Sequence, residues 1–297
     1  MTYRVRLGVL AACTLASAAS AQQAPAGIAV PITYSFNYDP SLSPDGKRMV
    51  FLKALEGREQ MFLADSDGRN ERQQTRDAVD HEDPAWSPDG RQIAYVHIAG
   101  DKKSLHVMGV DGGNDRRLTP PTQSPIHPAW MPDGRAILYC TDDLDPPRKN
   151  AAEIYRIDVA TGKVTTVLSG GVNTYPVPSP DGTRIAFRKM IGINSEVFVA
   201  GIDGGNARNL TNHPAFEGWP AWSPDGRQIA FAANRNSSYQ IFVMDADGSN
   251  VRLVANTEGR ATAPKWSPDG SRILFTNCWK TGTKSACEIF TATPPAP

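Results

Sequence analysis

Short apolar runs recur along the chain at a nearly fixed interval. Met49-Val50-Phe51, Ile93-Ala94-Tyr95, Ile137-Leu138-Tyr139, Ile185-Ala186-Phe187, Ile229-Ala230-Phe231 and Ile273-Leu274-Phe275 each begin three residues after a glycine. That glycine closes Ser-Pro-Asp-Gly at 43–46, 87–90, 179–182, 223–226 and 267–270, and Met-Pro-Asp-Gly at 131–134, with successive spacings of 44, 44, 48, 44 and 44. A second apolar or aromatic run opens at Met61, Leu105, Ile154, Val197, Ile241 and Ile289. Five of these lead into a turn with glycine, at Asp67-Gly68, Asp111-Gly112, Thr161-Gly162, Asp203-Gly204 and Asp247-Gly248. No helical periodicity intervenes, so each unit predicts four short strands, A to D, joined by tight turns.

Four strands at a period near 44 are the pattern of a propeller blade, and six copies predict an all-β, six-bladed β-propeller of four-stranded antiparallel blades. Pro-Asp-Gly suits the A–B turn, because proline presets φ and glycine accepts φ above zero. Trp86, Trp130, Trp222 and Trp266 stand just before it in four units, where burial between blades would contribute roughly 2–3 kcal/mol each. The last unit supplies A near 264–267, B near 272–277 and C near 287–291, and then Pro294, Pro295 and Pro297 stop the chain. Residues 28–36 therefore predict the missing outermost strand, an N-terminal strand that joins the last blade and closes the ring. Pro31 is tolerable on such an edge.

Residues 1–21 read as a signal peptide: Arg4 and Arg6, an apolar run from Leu7 to Leu15, and Ala19-Ser20-Ala21 as a small-residue cleavage site. Leu10-Ala11-Ala12-Cys13 offers a lipoprotein box instead, with a shorter apolar core. Residues 22–297 then form a single propeller domain that is exported from the cytoplasm. No later stretch is long enough for a transmembrane segment. The 31 Lys plus Arg balance 31 Asp plus Glu, so no basic field exists to hold nucleic acid.

Length varies mainly in the B–C connections of units three and six. These share one face with the D–A connections, and insertions on one face mark it as the binding face. Cys278 and Cys287 flank the unit-six loop as a candidate disulfide, with Cys140 left as a buried thiol. Candidate partner-binding residues on that face are His81, Glu82, His127, Tyr175, Glu217 and Trp219 from D–A connections, and Arg148, Arg235 and Trp279 from B–C loops. Aromatics and arginines are the residue types that anchor protein interfaces. His81, Glu82, His127 and Glu217 could instead converge on a metal, which keeps a metal-dependent carbohydrate lyase or hydrolase at the channel mouth as the alternative. The two Asp-x-Asp-Gly turns lack the closing glutamate of a calcium loop, and no nucleophile elbow, P-loop or zincin motif occurs. No cofactor is called for.

The string Leu210-Thr211-Asn212-His213-Pro214, continued by Trp219-Pro220-Ala221-Trp222-Ser223-Pro224-Asp225-Gly226 and by Gln240-Ile241-Phe242-Val243-Met244-Asp245-Ala246-Asp247-Gly248, resembles the PD40, or WD40-like, repeat of the TolB-type propeller. The resemblance covers nearly all of residues 22–297 and departs in one respect, the α/β domain that TolB carries ahead of its propeller. It implies a periplasmic, non-enzymatic protein whose mouth binds a protein partner of the cell envelope, such as the peptidoglycan-associated lipoprotein; a monomer is expected. The repeat is also similar to the propellers of prolyl oligopeptidase-type peptidases and of oligogalacturonate lyases.

Overall fold

The computed structural model describes residues 29–33, 37–141, 151–281 and 284–296. The expected signal peptide and Arg148 lie outside the described residues.

Among the described residues, twenty-four strands form six four-stranded antiparallel sheets. The chain begins with β1 (Val30–Pro31). Blade 1 is β2 (Asn37–Leu42), β3 (Arg48–Leu55), β4 (Arg58–Asp65) and β5 (Arg72–Gln73). Blade 2 is β6 (Asp80–Trp86), β7 (Gln92–Ala99), β8 (Lys102–Gly109) and β9 (Arg116–Arg117). Blade 3 is β10 (Pro125–Trp130), β11 (Ala136–Thr141), β12 (Ile154–Asp158) and β13 (Val164–Leu168). Blade 4 is β14 (Asn173–Pro178), β15 (Arg184–Ile191), β16 (Asn194–Gly201) and β17 (Arg208–Asn209). Blade 5 is β18 (Glu217–Trp222), β19 (Gln228–Ala233), β20 (Gln240–Asp245) and β21 (Arg252–Ala255). Blade 6 takes β22 (Arg260–Trp266), β23 (Ile273–Thr281) and β24 (Lys284–Ala292), and β1 completes it.

Closure is as the strand count predicts. Val30 pairs with Thr291 and Pro31 with Phe290, and the Ile32 amide donates to the Ile289 carbonyl at 2.9 Å. Thr33 adds a buried link: its hydroxyl donates to Glu288 Oε2 at 2.9 Å and accepts the Ile289 amide at 3.0 Å.

The apolar triplets are continuous because each blade is covered on both faces, so neither alternating set of side chains meets water. Met49, Phe51, Phe62 and Ala64 pack on Leu274 and Ile289 of blade 6, whereas Val50, Leu52, Met61 and Leu63 pack on Trp86, Ile93, Tyr95 and Met108 of blade 2. The tryptophans tie neighbours together as well as filling space. The indoles of Trp130, Trp222 and Trp266 donate to the carbonyls of Ala85, Val177 and Ala221 in the preceding blade at 3.1–3.2 Å. In the A–B turns the serine and aspartate bond each other: Ser43 Oγ donates to Asp45 Oδ1 at 2.6 Å and accepts the Arg48 amide at 2.9 Å. The same bond to Asp181 and the Thr183 contacts hold the Asp181 carboxyl down at about 2, which marks these aspartates as turn residues.

Cys278 and Cys287 face each other across β23 and β24 and form a disulfide. The cysteine-bearing connection is not an enlarged loop, however. Both strands extend well past 277 and before 287, so Trp279 sits in β23 opposite Ala286. Cys140 is a buried thiol that donates to the Ile126 carbonyl.

Candidate functional site

Each innermost strand carries one backbone irregularity at the same place. Asp39, Asp83, His127, Tyr175, Trp219 and Ala263 have φ of +57°, +53°, +53°, +55°, +52° and +53°. At each the A–B ladder shifts register, a β-bulge. Each is followed by a buried proline, at 40, 84, 128, 176, 220 and 264, which has no N–H for the ladder to miss. These six positions line a central cavity of about 500 Å³.

This placement corrects the expectation that His81, Glu82, His127, Tyr175, Glu217 and Trp219 lie in D–A connections. They lie within β6, β10, β14 and β18, because the bulge breaks the two-residue alternation by which a strand is read from sequence.

The ring is chemically two-sided. On blades 3 to 5 the rings form a wall: His127 stacks on Tyr175 with centroids 3.7 Å apart, Tyr175 lies 5.0 Å from Trp219, and Trp219 meets Tyr239 edge-on at 5.4 Å. Arg188 sits over Tyr175 at 5.2 Å, and Arg260 over Tyr239 at 4.8 Å and Trp219 at 5.7 Å. Gly218 makes room for this, since a Cβ there would come within 2.9 Å of Arg188 Cδ. On blades 1 and 2 the wall is acidic. The Asp39, Asp83 and Glu59 carboxyls line the same side of the cavity. Asp83 Oδ2 also accepts the His127 amide at 2.7 Å, and the Asp39 amide donates to Thr276 Oγ1 at 2.9 Å.

Removal from bulk water sets the electrostatics. Burial first, then the neighbouring Asp83 charge, pushes the Asp39 carboxyl up to about 7, and burial also raises Asp83 and Glu59. Burial holds His127 down to about 3, so its ring is neutral at ordinary pH. Lys265 lines the cavity as a cation and favours ionised Asp39.

The structure thus brings His127, Tyr175 and Trp219 together and separates the other candidates. His81 is fully buried between blades, with Nε2 3.3 Å from Asp77 and Nδ1 3.3 Å from the Glu59 carbonyl. Glu82 pairs with Lys103 at 3.2 Å. Glu217 is fully buried under Arg235, at 2.7 Å, with His213 at 3.8 Å. Trp279 lies edge-on to Phe290 in a second groove, between blades 5 and 6, which Arg260 also lines. His81, Glu82, His127 and Glu217 therefore do not share a centre, and no group of three or more His, Cys, Asp or Glu is arranged to hold a metal ion among the described residues. Asp39, Glu59 and Lys265 were not legible as site residues from the turn motif alone. The signal that finds the ring is the residue before proline, four positions ahead of every Ser-Pro-Asp-Gly or its Met-Pro-Asp-Gly variant.

One face also carries exposed apolar side chains. Leu55 caps the β3–β4 hairpin, Ile191 and Ile193 the β15–β16 hairpin, and Phe216 the connection into β18, with Ile193 92% exposed. Phe216 is fixed by two bonds with Asn234, of the B–C loop that also holds Arg235.

A candidate TolB from Agrobacterium tumefaciens shares this fold with a TM-score of 0.68 at 22% identity, over 89% of this chain and 92% of that one. TolB from Acinetobacter baumannii gives 0.68 at 20% identity over 87% of this chain, which spans 63% of that protein. A gluconolactonase from Xanthomonas campestris gives 0.68 at 14% identity, over 91% and 90%. At these identities the likeness is one of fold. No curated protein matches the sequence. The profile of the TolB beta propeller domain, PD40, matches residues 28–145 and 147–291, and with six blades built on its repeat the chain belongs to that family.

Proposed function

We propose that this protein is an exported, non-enzymatic binding propeller of the periplasm, whose protein partner in the cell envelope docks on the face made by the B–C and D–A connections. The observation that carries this reading is the distribution of exposed large apolar side chains. Of the five among the described residues, Leu55, Ile191, Ile193 and Phe216 stand on that face, and only Val30 lies elsewhere, on β1. Scattered single apolar residues need no explanation, but a set confined to one end and bordered by Arg235 and by the Trp279 groove has the composition of an interface. No helix among the described residues is long and apolar enough to cross a membrane.

The test is capture from an envelope extract with residues 22–297 as bait. Ile193→Asp replaces a side chain that is 92% exposed and Phe216→Asp one that is 40% exposed, so melting temperatures should stay within about 2 °C of the native protein for the first and fall by a few degrees at most for the second, while recovery of the partner falls at least tenfold. Undiminished recovery by both variants would refute the face.

A further inference from the structure

The cavity between the acidic and aromatic walls has a chemistry of its own, separate from the apolar rim. Its volume of about 500 Å³ is that of a small-molecule site, and its floor is built from the buried prolines that follow the bulges. Any ligand that enters meets two kinds of surface at once. One side offers the Asp39–Asp83 pair, with side chains that are withdrawn from bulk water, Asp83 being 16% exposed. The opposite side offers the Tyr175 and Trp219 rings, which are partly exposed where they line the cavity.

We infer that this cavity binds a primary ammonium group carried on an apolar stem, with the Asp39–Asp83 carboxyls as its counter-charge and the Tyr175–Trp219 wall as the seat of the stem. The alternatives fit less well. An anion would face three carboxyls. A neutral ligand could use the aromatic wall and would gain nothing from the charge of the acidic one. A bare metal ion would find no group of three or more His, Cys, Asp or Glu arranged to hold it among the described residues. An ammonium satisfies both walls, since it donates to carboxylate oxygens and is attracted by the faces of aromatic rings.

The charged and titratable groups around the pair set how the site responds to pH. They are Tyr38 of β2, Glu59 of β4, Glu82 of β6, Lys103 of β8, His127 of β10 and Lys265 of β22. Lys103 is engaged with Glu82, and His127 stays neutral. The empty pair retains a proton up to about pH 7, and an entering ammonium displaces it to solvent. A primary amine with a pKa near 10 stays charged throughout, so affinity rises with pH through 7 and levels above it. Lys265 opposes the ligand charge.

Titration calorimetry with phenethylamine and its neutral counterpart 2-phenylethanol tests the site. Phenethylamine is expected to bind at least tenfold more tightly than the alcohol, and more tightly at pH 8 than at pH 6. Asp83→Asn, whose amide oxygen can still accept the His127 N–H, should abolish the preference. Lys265→Gln should tighten amine binding several-fold and leave the alcohol unchanged, and it keeps the test open if the aspartate variant does not fold. Acetyl-lysine-amide against acetyl-norleucine-amide separates the two sources of such a group: a lysine preference points to a partner's side chain, a preference for the free amine to a metabolite. Equal binding of amine and alcohol, no binding of any amine at millimolar concentration, or indifference to Lys265→Gln would overturn the assignment. Ile193→Asp leaves this site intact, so the rim can fail its own test without affecting this one.

Discussion

Asp39 and His127 are near neighbours on the same ring, and burial drives their ionisation in opposite senses. Asp39 is raised to about 7 in the folded state from 3.8, so its contribution to stability is complete below pH 4 and is lost as pH rises through 7. His127 is lowered to about 3, so its contribution is present above 6.5 and is lost as pH falls toward 3. The cavity admits solvent, which reduces the full linkage value for Asp39. Asp39→Asn, which keeps the shape and removes the charge, is therefore expected to stabilise the protein by about 1–2 kcal/mol at pH 8 and by little at pH 4, read from urea midpoints at the two pH values. A stabilisation that is equal at both would show that packing, not charge, governs the position. The chemistry of this pair was only half legible beforehand. Asp83 stands beside His81 and Glu82 in an acidic cluster that attracts notice, whereas Asp39 gains its role only from where the ring places it, opposite a second carboxyl 44 residues away.

The strands and turns were legible for a physical reason: every blade is buried on both faces, so apolar triplets cannot be diluted by polar residues, and every A–B turn needs the same proline and glycine. The bulges were not, because a left-handed residue inside a strand erases the alternation that would announce the strand. The innermost strands therefore look shorter in the sequence than they are, and His81, Glu82, His127, Tyr175, Glu217 and Trp219 read as residues of connections. Turns also differ in what they touch. Gly162 has φ of +71° and open space where a Cβ would stand, while Gly68 has φ of +84° and a Cβ there would lie 1.9 Å from the Ile32 carbonyl oxygen of the closing segment. Gly162→Ala should cost about 1 kcal/mol, the conformational penalty alone, and Gly68→Ala roughly 3 kcal/mol because it must also push that segment off blade 1. Equal denaturation midpoints for the two variants would show that the contact at Ile32 carries no weight.

At the scale of the whole ring, the load of closure falls on blade 6. Its hairpin has the longest strands among the described residues and carries the disulfide, which closes a loop of about 10 residues and is worth roughly 2.5–3 kcal/mol in the chain-entropy account. Reduction under native conditions, or paired Cys278→Ser and Cys287→Ser, should lower stability by about that amount, and a loss well below 1 kcal/mol would show that the hairpin is held by its strand pairing alone. The sequence foretold the closing strand by counting, since three strands in the last unit and one spare segment at the front leave a single arrangement. Five blades are made from contiguous stretches of chain, so their strand pairing is local in sequence. Only the sixth needs residues about 255 positions apart, as Thr33 and Glu288 are, to find each other. Bringing such distant ends together costs about 1.5 kcal/mol more in chain entropy than closing one 44-residue blade. Blade 6 is thus the one part of the ring whose pairing joins the two ends of the described chain, β1 to β24, and cutting that contact would open the ring without breaking a ladder in any other blade.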